Sequence, residues 1–218
     1  RTIEDNGLDL SSLEITTCLR RGEIEIATTF EEEGRDLYGR FENAIVERHS
    51  DVLFSLDERT IDQIAAELLA GRTIATGESC TGGLLAARLA DQPGASDYLL
   101  GGTVAYSNRA KTEQLGVPAE LIDQEGAVSE PVALALAEGA RGRFGAEIGV
   151  GITGIAGPGG GTEAKPVGLV WFAVSTDSGN VSRSIQVPGA RADVRERATT
   201  IALHMIRRVL SGEPDFLS

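Results

Sequence analysis

Apolar and polar positions alternate in two different ways along the chain, and the change occurs near residue 60. Beyond it, apolar runs of strand length alternate with amphipathic runs of helix length. Strands are predicted at 73–76, 99–106, 148–153, 167–174 and 181–187, and helices at 61–69, 84–90, 108–115, 131–144 and 192–210. This order predicts a three-layer α/β/α fold, with helices on both faces of one sheet. A turn at 177–180 joins the last two strands as a hairpin, so the sheet should be mixed, with an antiparallel edge.

The first 57 residues predict a smaller α+β unit. A period-two pattern over 23–30 predicts a strand with one buried face, and 15–19 predicts its partner strand. Apolar positions between 37 and 45 recur at helical spacing, and the short run 52–54 is interpreted as a last strand. The domain boundary is therefore placed between residues 57 and 58, and the second domain extends to residue 218.

Composition and charge argue against nucleic-acid binding. With 41% hydrophobic and 24% charged residues, the chain has the composition of an ordinary globular protein. Its formal net charge is −13, from 20 basic and 33 acidic side chains, and the first unit is itself predominantly acidic. Because such a surface repels phosphate backbones, nucleic-acid binding is not expected.

Cysteine usage and hydropathy indicate a reducing, aqueous compartment. Cys18 and Cys80 are expected to be free thiols, and no residue spacing suggests a metal site. No apolar run reaches the roughly 20 residues that span a bilayer, and the polar start does not resemble a signal peptide. We therefore expect a cytoplasmic protein without membrane association. Because the first residue is Arg1 rather than Met, the sequence is consistent with a piece of a longer chain.

The most informative segment is the turn between a predicted strand and a predicted helix at 75–83. Ser79 and Thr81 supply hydroxyl groups, and Gly82 and Gly83 expose backbone N–H groups at the start of the helix. This combination suits an anion or a developing oxyanion. An equally weighted interpretation is that Ser79 or Thr81 is simply a helix N-cap.

Two further segments should meet this turn if their strands are parallel. One runs from Tyr106 to Lys111, where a strand passes into a helix, and the other is the glycine-rich segment 153–161. Open α/β sheets bind ligands at the carboxyl ends of their strands. The three segments together therefore define the predicted pocket.

A serine nucleophile needs a base, and lysine is a better candidate here than histidine. His49 lies in the acidic first unit and His204 lies within an apolar helix, so a Ser-His-Asp triad is poorly supported. Lys111 could accept a proton if burial or a cationic neighbour lowered its pKa. Tyr106 could orient the amine or relay a proton. The competing interpretation is a set of polar residues on a solvated helix start.

Basic residues near the glycine-rich segment are candidate anion ligands. Successive backbone N–H groups can surround phosphate oxygens, and Lys165 would add a charge, although no Walker sequence is present. Arg191 and Arg195 could clamp a phosphate or a carboxylate from the start of the last helix. The alternatives are a flexible connection for the loop, and ion pairs with Asp193 or Glu196 for the arginines.

Five segments of the second unit occur in an order that matches a known family. They are Glu78-Ser79-Cys80-Thr81-Gly82-Gly83, Tyr106-Ser107-Asn108 with Lys111, Gly126-Ala127-Val128-Ser129-Glu130-Pro131, Gly154-Ile155-Ala156-Gly157-Pro158-Gly159-Gly160, and Lys165-Pro166-Val167-Gly168 with Trp171-Phe172. They resemble the C-terminal domain of CinA, the competence/damage-inducible protein of bacteria, from about residue 60 to 210. Residues 14–23 resemble the KH-like middle domain of full-length CinA. The first unit, residues 1–57, is acidic and lacks a Gly-x-x-Gly loop, which argues against RNA binding.

The resemblance implies a nicotinamide-nucleotide amidohydrolase, which converts nicotinamide mononucleotide to nicotinate mononucleotide and ammonia in pyridine nucleotide recycling. It implies Ser79 as the nucleophile, Lys111 as the general base and Tyr106 as its helper. The residues implied in substrate binding are Cys80, Thr81, Gly82, Gly83, Asn108, Thr153, Gly154, Gly157, Lys165, Arg191 and Arg195. No metal and no other cofactor is implied.

The resemblance also sets expectations about partners. The ligand is a small nucleotide, and the chain is expected to form a dimer or a larger symmetric homo-oligomer. The molybdopterin-binding-like N-terminal domain of the full-length family, associated with metal-dependent ADP-ribose hydrolysis, is absent from this sequence, so that activity is not expected. The rival hypothesis is a non-catalytic nucleotide-binding or assembly module, which would release no ammonia from nicotinamide mononucleotide.

Overall fold

The computed structural model describes residues 2–213, which form two compact units. One unit ends at Arg59 and the other begins at Thr60, close to the predicted boundary between residues 57 and 58. The predicted second domain extends to residue 218, so its last part, 214–218, lies outside the described residues. The two units are described separately below.

The first unit is a β-hairpin packed against a helix. Its strands are antiparallel, with Leu13 opposite Phe30. Apolar side chains from one end of the hairpin and from the long helix form a small core, which includes Leu13, Phe41 and Ala44. The elements are α1 (Thr2–Asp5), β1 (Leu13–Arg20), β2 (Glu23–Phe30), a 3-10 turn (Glu32–Gly34) and α2 (Arg35–His49).

The predicted buried face of the second strand is only partly buried. Ile24 is 69% exposed, and Leu19 on the opposite strand is 65% exposed. The core of the unit contains the hairpin residues near Leu13 and not those near the turn. The alternation therefore predicted the strand correctly but overestimated how much of its apolar face is covered.

The predicted last strand at 52–54 is wrong. These residues adopt no regular strand, and the backbone N–H groups of Val52 and Leu53 both donate to the carbonyl oxygen of His49. The segment is a turn that closes α2. Three apolar residues suggested a strand, but the N–H groups of Val52 and Leu53 are used by the helix end and are not available for strand pairing.

The second unit is a mixed α/β domain built on a five-stranded sheet, with strand order β4-β3-β5-β6-β7. Strand β3 is parallel to β4 and β5, whereas β6 is antiparallel to β5 and β7. This confirms the mixed sheet with an antiparallel edge. The strands are β3 (Ile74–Glu78), β4 (Leu99–Val104), β5 (Ile148–Gly154), β6 (Leu169–Thr176) and β7 (Gly179–Gln186).

Helices cover both faces of this sheet. Helix α8 packs on one face of the sheet, and α6 and α7 pack on α8. On the other side, α4 and α9 contact strands and each other, and α3 lies beside α9. The short helices α5 and α7 were not predicted. None of the helices among residues 2–213 combines the length and apolar character needed to cross a bilayer. The helices are α3 (Ile61–Leu68), α4 (Leu84–Ala90), α5 (Ala95–Tyr98), α6 (Asn108–Leu115), α7 (Ala119–Glu125), α8 (Glu130–Phe144) and α9 (Arg191–Ser211).

Glycines in the central strand allow α8 to lie very close to the sheet. A Cβ atom at Gly149 would lie 2.0 Å from the carbonyl oxygen of Ala137, and one at Gly151 would lie 2.1 Å from that of Ala133. Helix backbone cannot move aside as a flexible side chain can, so these positions require glycine. The close packing holds the sheet against α8 and fixes the strand ends from which the candidate site projects.

Candidate active site

The carboxyl ends of three parallel strands form the candidate site. Strand β3 ends at Glu78, β4 at Val104 and β5 at Gly154, and the parallel pairing brings these ends to the same edge of the sheet. Ser79 follows directly on β3, and its backbone N–H donates to the carbonyl oxygen of Ile152 at 2.9 Å. The three segments that the sequence analysis expected to meet if their strands were parallel therefore lie at one edge of the sheet.

The amine of Lys111 lies against the hydroxyl group of Ser79. The distance between Nζ and Oγ is 3.1 Å, and the side chains are buried, with Lys111 2% exposed and Ser79 8% exposed. The same amine donates to the carbonyl oxygens of Ala105 at 3.1 Å and Tyr106 at 3.3 Å. The first turn of α6 therefore delivers a buried amine to the candidate nucleophile.

The surroundings of this amine favour its neutral form. Burial lowers the pKa of Lys111, because the charged ammonium group loses its water. A neutral amine has two N–H donors and one lone pair. If the carbonyl oxygens of Ala105 and Tyr106 accept the two N–H groups, the lone pair remains for the hydroxyl proton of Ser79. The arrangement therefore suits a lysine that accepts a proton from serine.

A buried carboxylate to which sequence reasoning assigned no role holds the turn after β3. Glu78 is 1% exposed, and its oxygens accept hydrogen bonds from the N–H groups of Gly83, Leu85 and Ala86 and from the hydroxyl group of Thr76. The start of α4 is thus occupied by the protein's own anion. The N–H group of Gly83, which the sequence offered to a ligand anion or oxyanion, is therefore already used by the protein. The available signal was a charged residue at the end of an apolar strand, where charges are rare.

The backbone of the turn offers fewer free donors than predicted. The N–H group of Gly82 donates to the carbonyl oxygen of Ser79 at 3.1 Å, and that of Gly83 donates to Glu78. The N–H groups of Cys80 and Thr81 have no oxygen partner among the described residues. They are therefore the turn's remaining candidates for an oxyanion hole.

The side chains of these two residues are buried away from solvent. Burial raises the pKa of the Cys80 thiol to about 12, so a thiolate does not compete with Ser79 as nucleophile. Thr81 is fully buried, and its hydroxyl group has no hydrogen-bond partner within residues 2–213. Gly82 and Gly83 adopt φ values of 63° and 91°, a left-handed conformation that glycine adopts without strain.

Arg195 is hydrogen-bonded to the nucleophile turn, residues 79–83. Its Nε–H donates to the carbonyl oxygen of Cys80 at 3.1 Å, and its terminal N–H₂ donates to that of Thr81 at 2.9 Å. The side chain is half-buried between α9 and the turn. The guanidinium group therefore braces the main chain beside Ser79, and the substrate-binding role expected of Arg195 stays a prediction.

Arg191 and Tyr106 lie together at the exposed rim. Arg191 donates to the carbonyl oxygen of Gly157 at 2.9 Å and to the hydroxyl group of Tyr106, whose side chain is 55% exposed. Tyr106 thus touches Lys111 through its backbone carbonyl and Arg191 through its phenol. The helper role expected of Tyr106 stays a prediction, and these two contacts are where it could act.

The remaining predicted ligands make their hydrogen bonds elsewhere. The buried hydroxyl group of Thr153 donates to the carbonyl oxygen of Ala127 at 2.7 Å, and the amine of Lys165 donates to that of Glu125 at 2.6 Å. Asn108 is exposed and lines a groove between α6 and α7. Within residues 2–213, no group of three or more His, Cys, Asp or Glu side chains is placed to hold a metal ion.

Comparison with known proteins identifies the family. The model of the CinA C-terminal domain matches residues 57–210. CinA-like proteins of Mycobacterium marinum and Mycolicibacterium gilvum are 56% and 58% identical to this chain over 212 and 213 residues, which is 97% of the chain in each case. The chain spans half the length of these relatives, 50% of each.

A solved structure shares both the sequence and the fold. The competence/damage inducible protein of Agrobacterium tumefaciens is 38% identical, with a TM-score of 0.66, and the match covers 72% of this chain and 99% of that one. Its likeness confirms the mixed α/β architecture of the second unit. With this match, the family model and the mycobacterial relatives in agreement, the chain belongs to the CinA C-terminal domain family.

Proposed function

We propose that the second unit hydrolyses the carboxamide of nicotinamide mononucleotide to nicotinate mononucleotide and ammonia, as a step of pyridine nucleotide recycling. The observation that supports this most is the buried 3.1 Å contact between Lys111 Nζ and Ser79 Oγ. The reaction class, acyl transfer through serine, rests on this contact. The identity of the substrate rests on the resemblance of the five sequence motifs to the family.

The proposed cycle begins when neutral Lys111 takes the hydroxyl proton as Ser79 attacks the carboxamide carbon. The oxyanion that forms accepts hydrogen bonds from the backbone N–H groups of Cys80 and Thr81, and one well-placed donor lowers such a barrier by about 3 kcal/mol. The Lys111 ammonium then gives its proton to the departing nitrogen, and ammonia leaves. Water then attacks the ester on Ser79 as Lys111 takes its proton. The bond between the acyl carbon and Ser79 Oγ breaks, Lys111 returns the proton to Oγ, and the acid product leaves and ionises to the carboxylate.

We assign the substrate phosphate to the rim near Arg191. Arg191 is exposed, whereas Arg195 is half-buried and holds two carbonyl oxygens of the nucleophile turn. Arginine presents a planar fork of N–H donors that matches phosphate oxygens. A phosphate bound there would stand at the mouth of the site while the carboxamide reaches Ser79.

The test is ammonia release from nicotinamide mononucleotide by purified protein and two variants. Ser79→Ala removes the nucleophile, and Lys111→Arg keeps a charge that cannot be lost, so each should lower kcat by about 10²–10⁴-fold. Ser178→Ala, in the exposed turn of the β6–β7 hairpin, is the matched control and should keep full activity. Near-normal rates in folded Ser79→Ala or Lys111→Arg would remove the dyad. Binding without ammonia release by the wild type would favour a nucleotide-binding module instead.

A further inference from the structure

We infer that Glu78 is a positioning residue for Ser79, in which a buried carboxylate serves as an internal anion that fixes the nucleophile turn against α4. The inference rests on the serine chemistry of the proposed function. It does not depend on which amide is hydrolysed. It gives a structural role to the Glu78 carboxylate, which takes no part in the reaction steps.

The carboxylate closes a ring across the turn. Residues 79–82 lie between the main chain of Glu78, at the end of β3, and the N–H group of Gly83, which donates to Glu78 Oε2 at 3.0 Å. The main chain of Glu78 is itself held in the sheet, since the N–H group of Ala105 donates to its carbonyl oxygen at 2.8 Å. Both ends of the segment that carries the nucleophile are therefore tied to one residue.

The carboxylate is satisfied by protein donors. Oε1 accepts from the N–H group of Ala86 at 2.8 Å and from the hydroxyl group of Thr76 at 3.2 Å, while Oε2 accepts from Leu85 at 3.1 Å as well as from Gly83. A negative group at a helix start is also favoured by the helix dipole. A glutamine at position 78 would turn an N–H₂ group toward some of these donors and lose their hydrogen bonds.

The consequence for catalysis is geometric. Glu78 accepts from the N–H groups of Gly83, Leu85 and Ala86, and the proposed oxyanion uses those of Cys80 and Thr81, whose direction depends on the turn. Release of the carboxylate would let Ser79 Oγ and these donors shift together. A shift of about 1 Å in reacting groups can cost about 10²-fold in rate.

Asp62, on α3, provides a matched control that acts on the same helix α4 through Arg88. Its carboxylate accepts from the guanidinium group of Arg88, with Nε–Oδ1 and terminal nitrogen–Oδ2 distances of 2.8 and 2.6 Å, and thereby joins α3 to α4. Asp62→Asn weakens the anchoring of α4 without touching its first amides or the strand end. It separates general loosening of the helix from loss of the turn.

The experiment measures the rate at which a fluorophosphonate reagent labels Ser79, together with ammonia release and thermal unfolding. We expect Glu78→Gln to slow labelling and to lower kcat by about 10–100-fold, because the nucleophile is misplaced, while KM changes far less. Asp62→Asn should lose stability but label at the wild-type rate. Thr76→Val removes one of the four hydrogen bonds and should slow labelling by a smaller factor, which keeps the test open if Glu78→Gln does not fold.

Several results would overturn the positioning role. These are wild-type labelling in folded Glu78→Gln, wild-type labelling in Thr76→Val when Glu78→Gln does not fold, and equal slowing in Glu78→Gln and Asp62→Asn. A wild type that resists the reagent would remove the activated serine and the role of Glu78 together. A wild type that labels at Ser79 but releases no ammonia would remove the proposed substrate and leave the role of Glu78 intact.

Discussion

The nucleophile turn, residues 79–83, and the glycine-rich loop, residues 155–161, follow parallel strands at the same edge of the sheet, yet they are held very differently. Ser79, Cys80 and Thr81 are buried, and their main chain is tied by Glu78 on one side and Arg195 on the other. Residues 158–161 of the loop are exposed. Glycine is abundant in both segments, so it does not explain the difference.

Under the proposed function, the two segments divide two tasks between them. A reacting hydroxyl and its base must keep a fixed distance, which buried hydrogen bonds supply. A loop at the rim can meet a nucleotide with exposed backbone N–H groups and with the neighbouring Arg191. The side chains that immobilise the turn come from the strand before it and from the last helix, and the loop has no equivalent carboxylate among its described contacts.

The largest effect should come from removal of the base in the buried region. Lys111→Met keeps an unbranched apolar side chain of similar length but cannot accept a proton, so kcat for ammonia release should fall by about 10²–10⁴-fold. Steady-state kinetics with nicotinamide mononucleotide measures this. Full activity in the Met variant would mean that another group is the base.

The same variant should remove a pH dependence of stability. The folded-state pKa of Lys111 is lowered, whereas the unfolded chain has a lysine pKa of about 10.4, so the unfolded state binds more protons between these values. The free energy of unfolding of the wild type therefore rises with pH across this window. The destabilisation caused by the lowered pKa of Lys111 is greatest below the folded-state pKa. Urea unfolding of wild type and Lys111→Met should show a difference that grows in favour of wild type as pH approaches 10.4. Parallel curves would contradict a lowered pKa.

A matched pair of glycine substitutions compares the two segments directly. Gly83→Ala places a Cβ at φ 91° and 3.3 Å from a methyl group of Val104, so it should cost about 1–2 kcal/mol of unfolding free energy. It also displaces an N–H group that Glu78 binds, so kcat should fall with it.

The partner substitution is Gly159→Ala in the exposed loop. A Cβ there meets nothing within 4 Å and the backbone has no positive φ, so stability should hold or rise by about 0.4–1 kcal/mol. Urea unfolding of both variants provides the measurement. Equal destabilisation in the two variants would abolish the distinction between the segments.

The smallest effect should come from the phenol at the rim. Tyr106→Phe removes the hydroxyl group that binds Arg191 but keeps the backbone carbonyl that binds Lys111. We expect kcat to change less than about tenfold, because loss of one exposed hydrogen bond costs about 0.5–1.5 kcal/mol. Steady-state kinetics of Tyr106→Phe, with kcat and KM determined separately, provides the measurement. A loss of kcat as large as that in Lys111→Met would give the phenol a role in proton transfer.

Much of the second unit was determined by local sequence. Periodicity placed its five strands and its longer helices, whereas the parallel pairing at the site was a condition that the structure fulfils. Strand-to-helix transitions at Ser79 and Lys111 made these side chains candidates, the family resemblance implied their pairing, and the structure places their Oγ and Nζ atoms 3.1 Å apart. These features depend on residues close together in the chain, where apolar spacing and turn residues carry the information.

Tertiary structure alone decided which groups are free to act. The sequence suggested an anion site at the start of α4, but in the folded chain the Glu78 carboxylate binds there. Arg195 contacts the turn from more than a hundred residues away in the sequence. The exposed apolar end of the β1–β2 hairpin likewise could not be read from alternation, because a strand pattern does not state how far a covering helix extends. Hydrogen bonds and burial between distant segments arise only when the chain is packed, and they determine which donors and charges remain for chemistry.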